Sequence, residues 1–320
     1  MVLEIHGGPH GQYGWAFFHE LQVLAGMGYL VLYANPRGSD GYGERFRGEV
    51  VRDWGGKDFV DLMTAVDQLI ERSGAVDTSR MGIGGGSYGG YMTNWAIGQT
   101  DRFAAAVAMR SISNLVSEFA QHDIVIWGSL ELGPPPWPDL DELWRRSPIR
   151  NVQNIKTPLL LTCGEMDLRC AISQSEEMFG AMRLLGKTVE LARFPEESHD
   201  LSRSGRPDRR VERLRRIAGW FERFLGTAAA DRPIEADVCV VTTATAPEMF
   251  TDALPEKPAL TPTTARSSLL VAVTATPLNG TPASGALIER GPVSLASPEG
   301  RLPDGTRLCD RPEPRLVRSI

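Results

Sequence analysis

The chain has 320 residues, 42 % of them hydrophobic and 8 % aromatic, a net charge of −6 and four cysteines. That balance suits a globular protein with a full core and excludes collagen, a disulfide-stapled miniprotein and a wholly disordered chain. Mild acidity gives no reason to expect a nucleic-acid partner, and no run of about 18 apolar residues offers a membrane-spanning helix.

In chain order, apolar runs at residues 2–6, 29–35, 81–84, 103–109, 158–163 and 188–194 predict strands. Several, such as Leu159-Leu160-Leu161, are apolar without alternation, the mark of a parallel sheet covered on both faces. Between them, residues 57–72 align Phe59, Leu62, Met63, Val66, Leu69 and Ile70 on one helical stripe. A helix is also expected over 91–99. Residues 207–225 form another stripe from Val211, Leu214, Ile217, Phe221 and Leu225, with Arg209, Arg210, Arg213, Arg215 and Arg216 read as its solvated face. The predicted class is α/β, doubly wound.

Composition changes after Gly226. Of 11 Phe, 6 Tyr and 7 Trp, Phe250 alone lies beyond it, whereas 12 of the 22 prolines do. Residues 1–226 therefore read as one folded domain. Residues 227–320 read as a Thr/Ala/Pro-rich tail too poor in apolar surface to offset chain entropy, hence disordered. The start, Met1-Val2-Leu3-Glu4-Ile5-His6-Gly7-Gly8-Pro9, carries no basic and apolar leader, which predicts a cytoplasmic protein. Cys163 and Cys170 fall seven apart and no Cys-x-x-Cys pair occurs, so no metal or other cofactor is expected.

The sharpest chemical signal is Gly85-Gly86-Ser87-Tyr88-Gly89-Gly90, a Gly-x-Ser-x-Gly set between a predicted strand and a predicted helix. On such a turn the serine is thrust out of the backbone, and flanking glycines permit the strain and the close packing. No Lys-Ser or Lys-Thr pair follows, which disfavours a phosphate loop. A serine hydroxyl needs a base. Of His6, His10, His19, His122 and His199, the last lies just past the final predicted strand, in the order nucleophile, acid, base. The acid belongs past the strand at 158–163, where Glu165 and Asp167 both qualify. For the oxyanion, the Tyr88 N–H follows the nucleophile, and Gly7 or Gly8 must donate from His6-Gly7-Gly8-Pro9 because Pro9 has no N–H.

These runs, with Asn35-Pro36-Arg37-Gly38-Ser39-Asp40-Gly41-Tyr42-Gly43, Asp53-Trp54-Gly55-Gly56-Lys57-Asp58, Gly164-Glu165-Met166-Asp167-Leu168-Arg169-Cys170 and Glu197-Ser198-His199, resemble the catalytic domain of the prolyl oligopeptidase family of serine peptidases, in its acylaminoacyl-peptidase or dipeptidyl-peptidase-like branch. The resemblance spans residues 2 to about 226. It implies an α/β-hydrolase fold, a triad of Ser87, Asp167 and His199, oxyanion donors at Gly8 and Tyr88, and a peptide substrate cleaved through an acyl-enzyme. The same triad also serves a carboxylesterase, and an inactive truncated fragment is the third reading.

Departures from the family pattern carry expectations of their own. The given sequence begins at the His-Gly-Gly-Pro strand, whereas the family's catalytic domain normally follows a β-propeller and earlier strands, and an uncovered sheet edge is expected to invite a second copy of the chain. Residues 114–137, with Val125, Ile126 and Trp127, read either as a wall for an apolar substrate side chain or as plain core packing. Asp200 stands where glycine usually follows the histidine and is expected to raise the pKa of His199.

Overall fold

The computed structural model describes residues 1–124, 126–137 and 139–226, together with two short strands beyond them. In chain order the elements are β1 (Val2–Ile5), α1 (His19–Gly26), β2 (Val31–Ala34), α2 (Glu44–Gly48), α3 (Lys57–Ser73), β3 (Gly82–Gly86), α4 (Tyr88–Gln99), β4 (Ala105–Met109), α5 (Leu115–Gln121), α6 (Trp127–Glu131), α7 (Asp141–Arg145), a 3-10 turn Pro148–Asn154, β5 (Leu159–Gly164), α8 (Ile172–Leu184), β6 (Val189–Phe194), α9 (Pro207–Leu225), β7 (Leu270–Val273) and β8 (Arg315–Val317).

The strands form one sheet in the order β7-β2-β1-β3-β4-β5-β6-β8, parallel throughout except where β8 runs against β6. β1 is an interior strand: Val2 sits opposite Val31 on one side and Gly82 on the other. Every residue of β1 to β5 is buried, which is why those runs are apolar without alternation. Successive residues serve opposite faces. Leu3, Ile5, Leu32 and Ile83 pack on one side with Leu62, Val66 and Leu69 of α3. Val2, Val31, Val107 and Leu160 pack on the other with Leu21 and Leu24 of α1 and Ile217, Phe221 and Leu225 of α9. Each such fully buried side chain contributes about 1.5–3 kcal/mol. This is the α/β-hydrolase arrangement, with the site-bearing turns at the carboxyl ends of the strands.

One expectation fails in α9. Its inward stripe is rotated relative to the prediction: Val211 is 47 % exposed, whereas Arg209 and Arg213 are buried. Arg213 Nη2 donates to Glu20 Oε2 of α1 at 2.6 Å, and this pairing lets an arginine occupy the inner face. The expectation of a disordered tail over 227–320 lies for the most part outside the described residues. The parts that are described run as strands, β7 along β2 and β8 along β6. Among the described residues no helix is long and apolar enough to cross a membrane.

Candidate active site

Ser87 joins β3 directly to α4 with φ 62° and ψ −122°, a backbone conformation that side chains rarely adopt. The helix starts at Tyr88, three residues before the expected start, because the turn passes into helix without a linker. Close packing demands the neighbouring glycines: a Cβ on Gly85 would lie 2.6 Å, and one on Gly89 2.1 Å, from the Ile5 carbonyl oxygen. Ser87 N donates to Met109 O at 3.0 Å. Beneath the turn, the buried Tyr88 hydroxyl donates to Asp58 Oδ2 at 2.6 Å, and Trp54 packs edge-on to the Tyr88 ring, centroids 4.9 Å apart. Burial pushes Asp58 up to about 6, against the pull of the Tyr88 hydrogen bond. The run Asp53–Asp58 thus braces the serine turn from below.

β5 leads into the loop that carries both candidate acids. Asp167 is buried, with Oδ2 at 2.9 Å and Oδ1 at 3.1 Å from His199 Nδ1, and Oδ1 also accepts the N–H groups of Arg169 and Cys170 at 2.9 Å each. Glu165, the other candidate by position, accepts from Arg193 Nε at 3.0 Å instead. Burial lowers the His199 pKa below its usual value; the Asp167 hydrogen bond and charge oppose this, and the Arg110 and Arg203 charges add to it. The imidazole is therefore neutral near pH 7, with Nδ1–H donated to Asp167 and the Nε2 lone pair left to accept a proton. The expected rise from Asp200 does not occur: Asp200 is ion-paired with Arg203, which neutralises it and supplies a nearby cation.

Ser87 and His199 line one cavity of about 790 Å³. Ser87 Oγ lies 4.0 Å from Cys170 Sγ and, among the described contacts, is not hydrogen-bonded to His199. Nucleophile–base contacts of this kind commonly tighten only when substrate binds.

The loop after β1 runs beside the serine. A Cβ on Gly7 would lie 3.1 Å from Gly86 O and 3.5 Å from Ser87 Cβ, and Gly8 has φ 132°, a value that favours glycine. Gly8 and Tyr88 both line the cavity, and the Tyr88 amide, at the first position of α4, has no intrahelical acceptor. His6 is scaffold: its ring nitrogens meet Gly7 O at 2.9 Å and Ser39 Oγ at 2.8 Å, and burial pushes it down to about 4. His10 ties the loop to α6 through Glu131 at 2.7 Å, a hydrogen bond that raises its pKa.

Trp127 lines the cavity, stacked on His122 with centroids 4.4 Å apart and 6° between planes. Of its two expected companions, Ile126 is 63 % exposed and outside the cavity lining, because α6 turns it outward; residue 125 lies outside the described residues. Sequence reading missed Arg110 and passed over His122 in favour of His199; both line the cavity. Arg110 follows directly on the apolar run of β4, and strand carboxyl ends gather ligand groups. Glu118 is a lone buried carboxyl among Leu115 and Phe119 in α5; burial, aided by the Asp167 charge, pushes it up to about 8 against the weak pull of the Cys170 thiol. Among the described residues no group of three or more His, Cys, Asp or Glu could hold a metal ion.

Comparison with known proteins gives the family and the fold. The profile of the prolyl oligopeptidase family matches residues 15–228. An uncharacterized peptidase of Bacillus subtilis (strain 168), YuxL, is 50 % identical over 226 residues, covering 70 % of this chain and 34 % of its own length. Dipeptidyl-peptidase 5 of Porphyromonas gingivalis is 33 % identical over 231 residues, covering 70 % of this chain and 33 % of its own length. The acylaminoacyl peptidase of Pyrococcus horikoshii superposes with a TM-score of 0.69 at 36 % identity, over 73 % of this chain and 38 % of that one. The chain spans about a third of the length of the curated relatives it matches.

Proposed function

Because the chain belongs to the prolyl oligopeptidase family, we propose that it is a serine peptidase cleaving short peptides, in the manner of an acylaminoacyl- or oligopeptidase, with Ser87, His199 and Asp167 as its triad. Ser87 Oγ attacks the scissile carbonyl carbon while His199 Nε2 takes the hydroxyl proton. Asp167 holds the imidazole in the Nδ1–H tautomer and stabilises the imidazolium. The Gly8 and Tyr88 N–H groups receive the oxyanion, each such donor contributing about 3–4 kcal/mol to the barrier reduction. His199 then protonates the leaving amine, the C–N bond breaks, and an ester on Ser87 remains. Water, deprotonated by the same imidazole, attacks that ester and frees the acid and the serine.

The observation that carries this reading is the 2.9 Å contact from His199 to the buried Asp167, on a loop that shares its cavity with the strained Ser87. A fluorophosphonate probe is expected to label the wild type and not Ser87→Ala; equal labelling of both overturns the assignment. An acyl-alanyl anilide should be hydrolysed as well as a nitrophenyl ester, and an undetectable anilide rate would assign the site to a carboxylesterase.

A further inference from the structure

Most guanidinium groups lining the catalytic cavity are matched by acids. Arg47 pairs with Asp40 at 2.7 Å, Arg169 with Asp123 at 2.5 Å, Arg203 with Asp200, and Arg213 with Glu20 at 2.6 Å. Arg210 is exposed to solvent. Arg110 differs from all of these: it is half-buried, it lines the cavity, and among the described residues no carboxylate lies within ion-pair distance of it. The acid whose charge reaches it, Glu20, is already engaged by Arg213. Nη1 donates to Ser202 Oγ at 3.1 Å, Nε is buried without an acceptor, and Nη2 has no acceptor among the described residues.

Its backbone is also unusual. Arg110 has φ 40°, in the left-handed region that non-glycine residues avoid, yet an arginine stands there. Its N–H donates to Thr162 O at 2.6 Å, which pins the residue at the carboxyl end of β4. The guanidinium lies against the strand residue that precedes the nucleophile: a Cβ on Gly86 would be 2.9 Å from Cζ. Ser202, its one hydrogen-bond partner, sits on the loop that carries His199. The unmatched cation therefore occupies the space between the serine turn and the imidazole loop.

In acyl transfer the base hands its proton to the departing amine, so the departing residue lies on the imidazole side of the serine. When that residue is the last of the peptide, its free carboxylate brings one negative charge into the same space. We propose that Arg110 is a carboxylate anchor, which makes this site selective for peptides that end, with a free carboxylate, one residue beyond the scissile bond. A planar guanidinium with open N–H groups suits a carboxylate, and a charge-assisted pair in a sheltered cavity is strong enough to set specificity. This inference rests on the reading of Ser87 and His199 as nucleophile and base.

The experiment compares N-acetyl-alanyl-alanine with its C-terminal amide, following the released amine. The full-length wild type is expected to favour the free acid by about tenfold or more in kcat/KM, chiefly through KM. In Arg110→Gln that ratio is expected to fall to near one, and Arg110→Lys, which keeps the charge without the fork, should retain part of it. A wild-type ratio near one, or an unchanged ratio in Arg110→Gln, overturns the anchor. A fall of both substrates by the same factor in Arg110→Gln assigns Arg110 to holding the His199 loop and overturns it too. Fluorophosphonate labelling of the wild type separates the two levels: if Ser87 is not labelled, the peptidase reading itself fails and the anchor falls with it.

Discussion

His199 can act as a base only while it is neutral, and its surroundings favour that form. Burial lowers its pKa, with Arg110 and Arg203 adding to the effect against the pull of Asp167. The acid limb of kcat/KM is therefore expected below pH 6.5, the ordinary value for histidine. Arg203→Gln removes one cation and frees the Asp200 carboxylate; both changes favour the imidazolium, so the limb should move to higher pH. A pH–rate profile in which Arg203→Gln leaves the limb in place or shifts it downward contradicts this account. Asp200 taken alone predicts the opposite sign for the wild type, which shows how one ion pair at a neighbouring position can invert an electrostatic expectation.

Among the elements, α5 carries an avoidable cost. The buried Glu118 carboxyl is pushed up to about 8 by burial and the Asp167 charge, against the weak pull of the Cys170 thiol. A folded-state pKa above the unfolded one means that the native protein holds a proton which the unfolded chain gives up above about 4.5. Stability is then lost as pH rises from about 4.5 to about 8, at close to 1.4 kcal/mol per pH unit from this group, and is flat beyond. Glu118→Gln removes that dependence. Urea unfolding should find the variant more stable than the wild type at pH 8, with the difference shrinking toward pH 4; a difference independent of pH would show that the carboxyl does not titrate in that range. The matched pair of α9 and α1 is the contrasting case, since Arg213 and Glu20 are each buried only because the other is present.

At the scale of the whole molecule, both faces of the sheet are covered by residues that precede Gly226. We therefore propose residues 1–226 as the independently folding catalytic domain. Produced alone, they are expected to unfold in one cooperative thermal transition and to keep reactivity toward the fluorophosphonate probe. Loss of either would show that the remaining 94 residues contribute to the fold. Removing them also bares β2 and β6, whose outer edges pair with β7 and β8. Light scattering is expected to show more self-association for residues 1–226 than for the full chain, and equal masses would mean that those edges are protected in another way.

Order along the chain determined the doubly wound class and the strained turn at Ser87, and it singled out His199 and the glycines at 7 and 8 as candidates for base and oxyanion donor. The class, the turn and the glycines depend on spacing within a few residues: apolar runs, a Gly-x-Ser-x-Gly, a proline without an N–H; His199 depends on its place after the last predicted strand. The choice between Asp167 and Glu165 rested on family resemblance until coordinates gave His199 to the first and Arg193 to the second. Only the tertiary structure decided the burial of Arg213, the neutralised Asp200 and the unmatched Arg110. The Arg213–Glu20 contact spans 193 residues and that of Arg110 with Ser202 spans 92. Charge balance at such positions depends on distances in space that no local pattern encodes, because Coulomb and hydrogen-bond energies follow separation between atoms and not separation along the polymer.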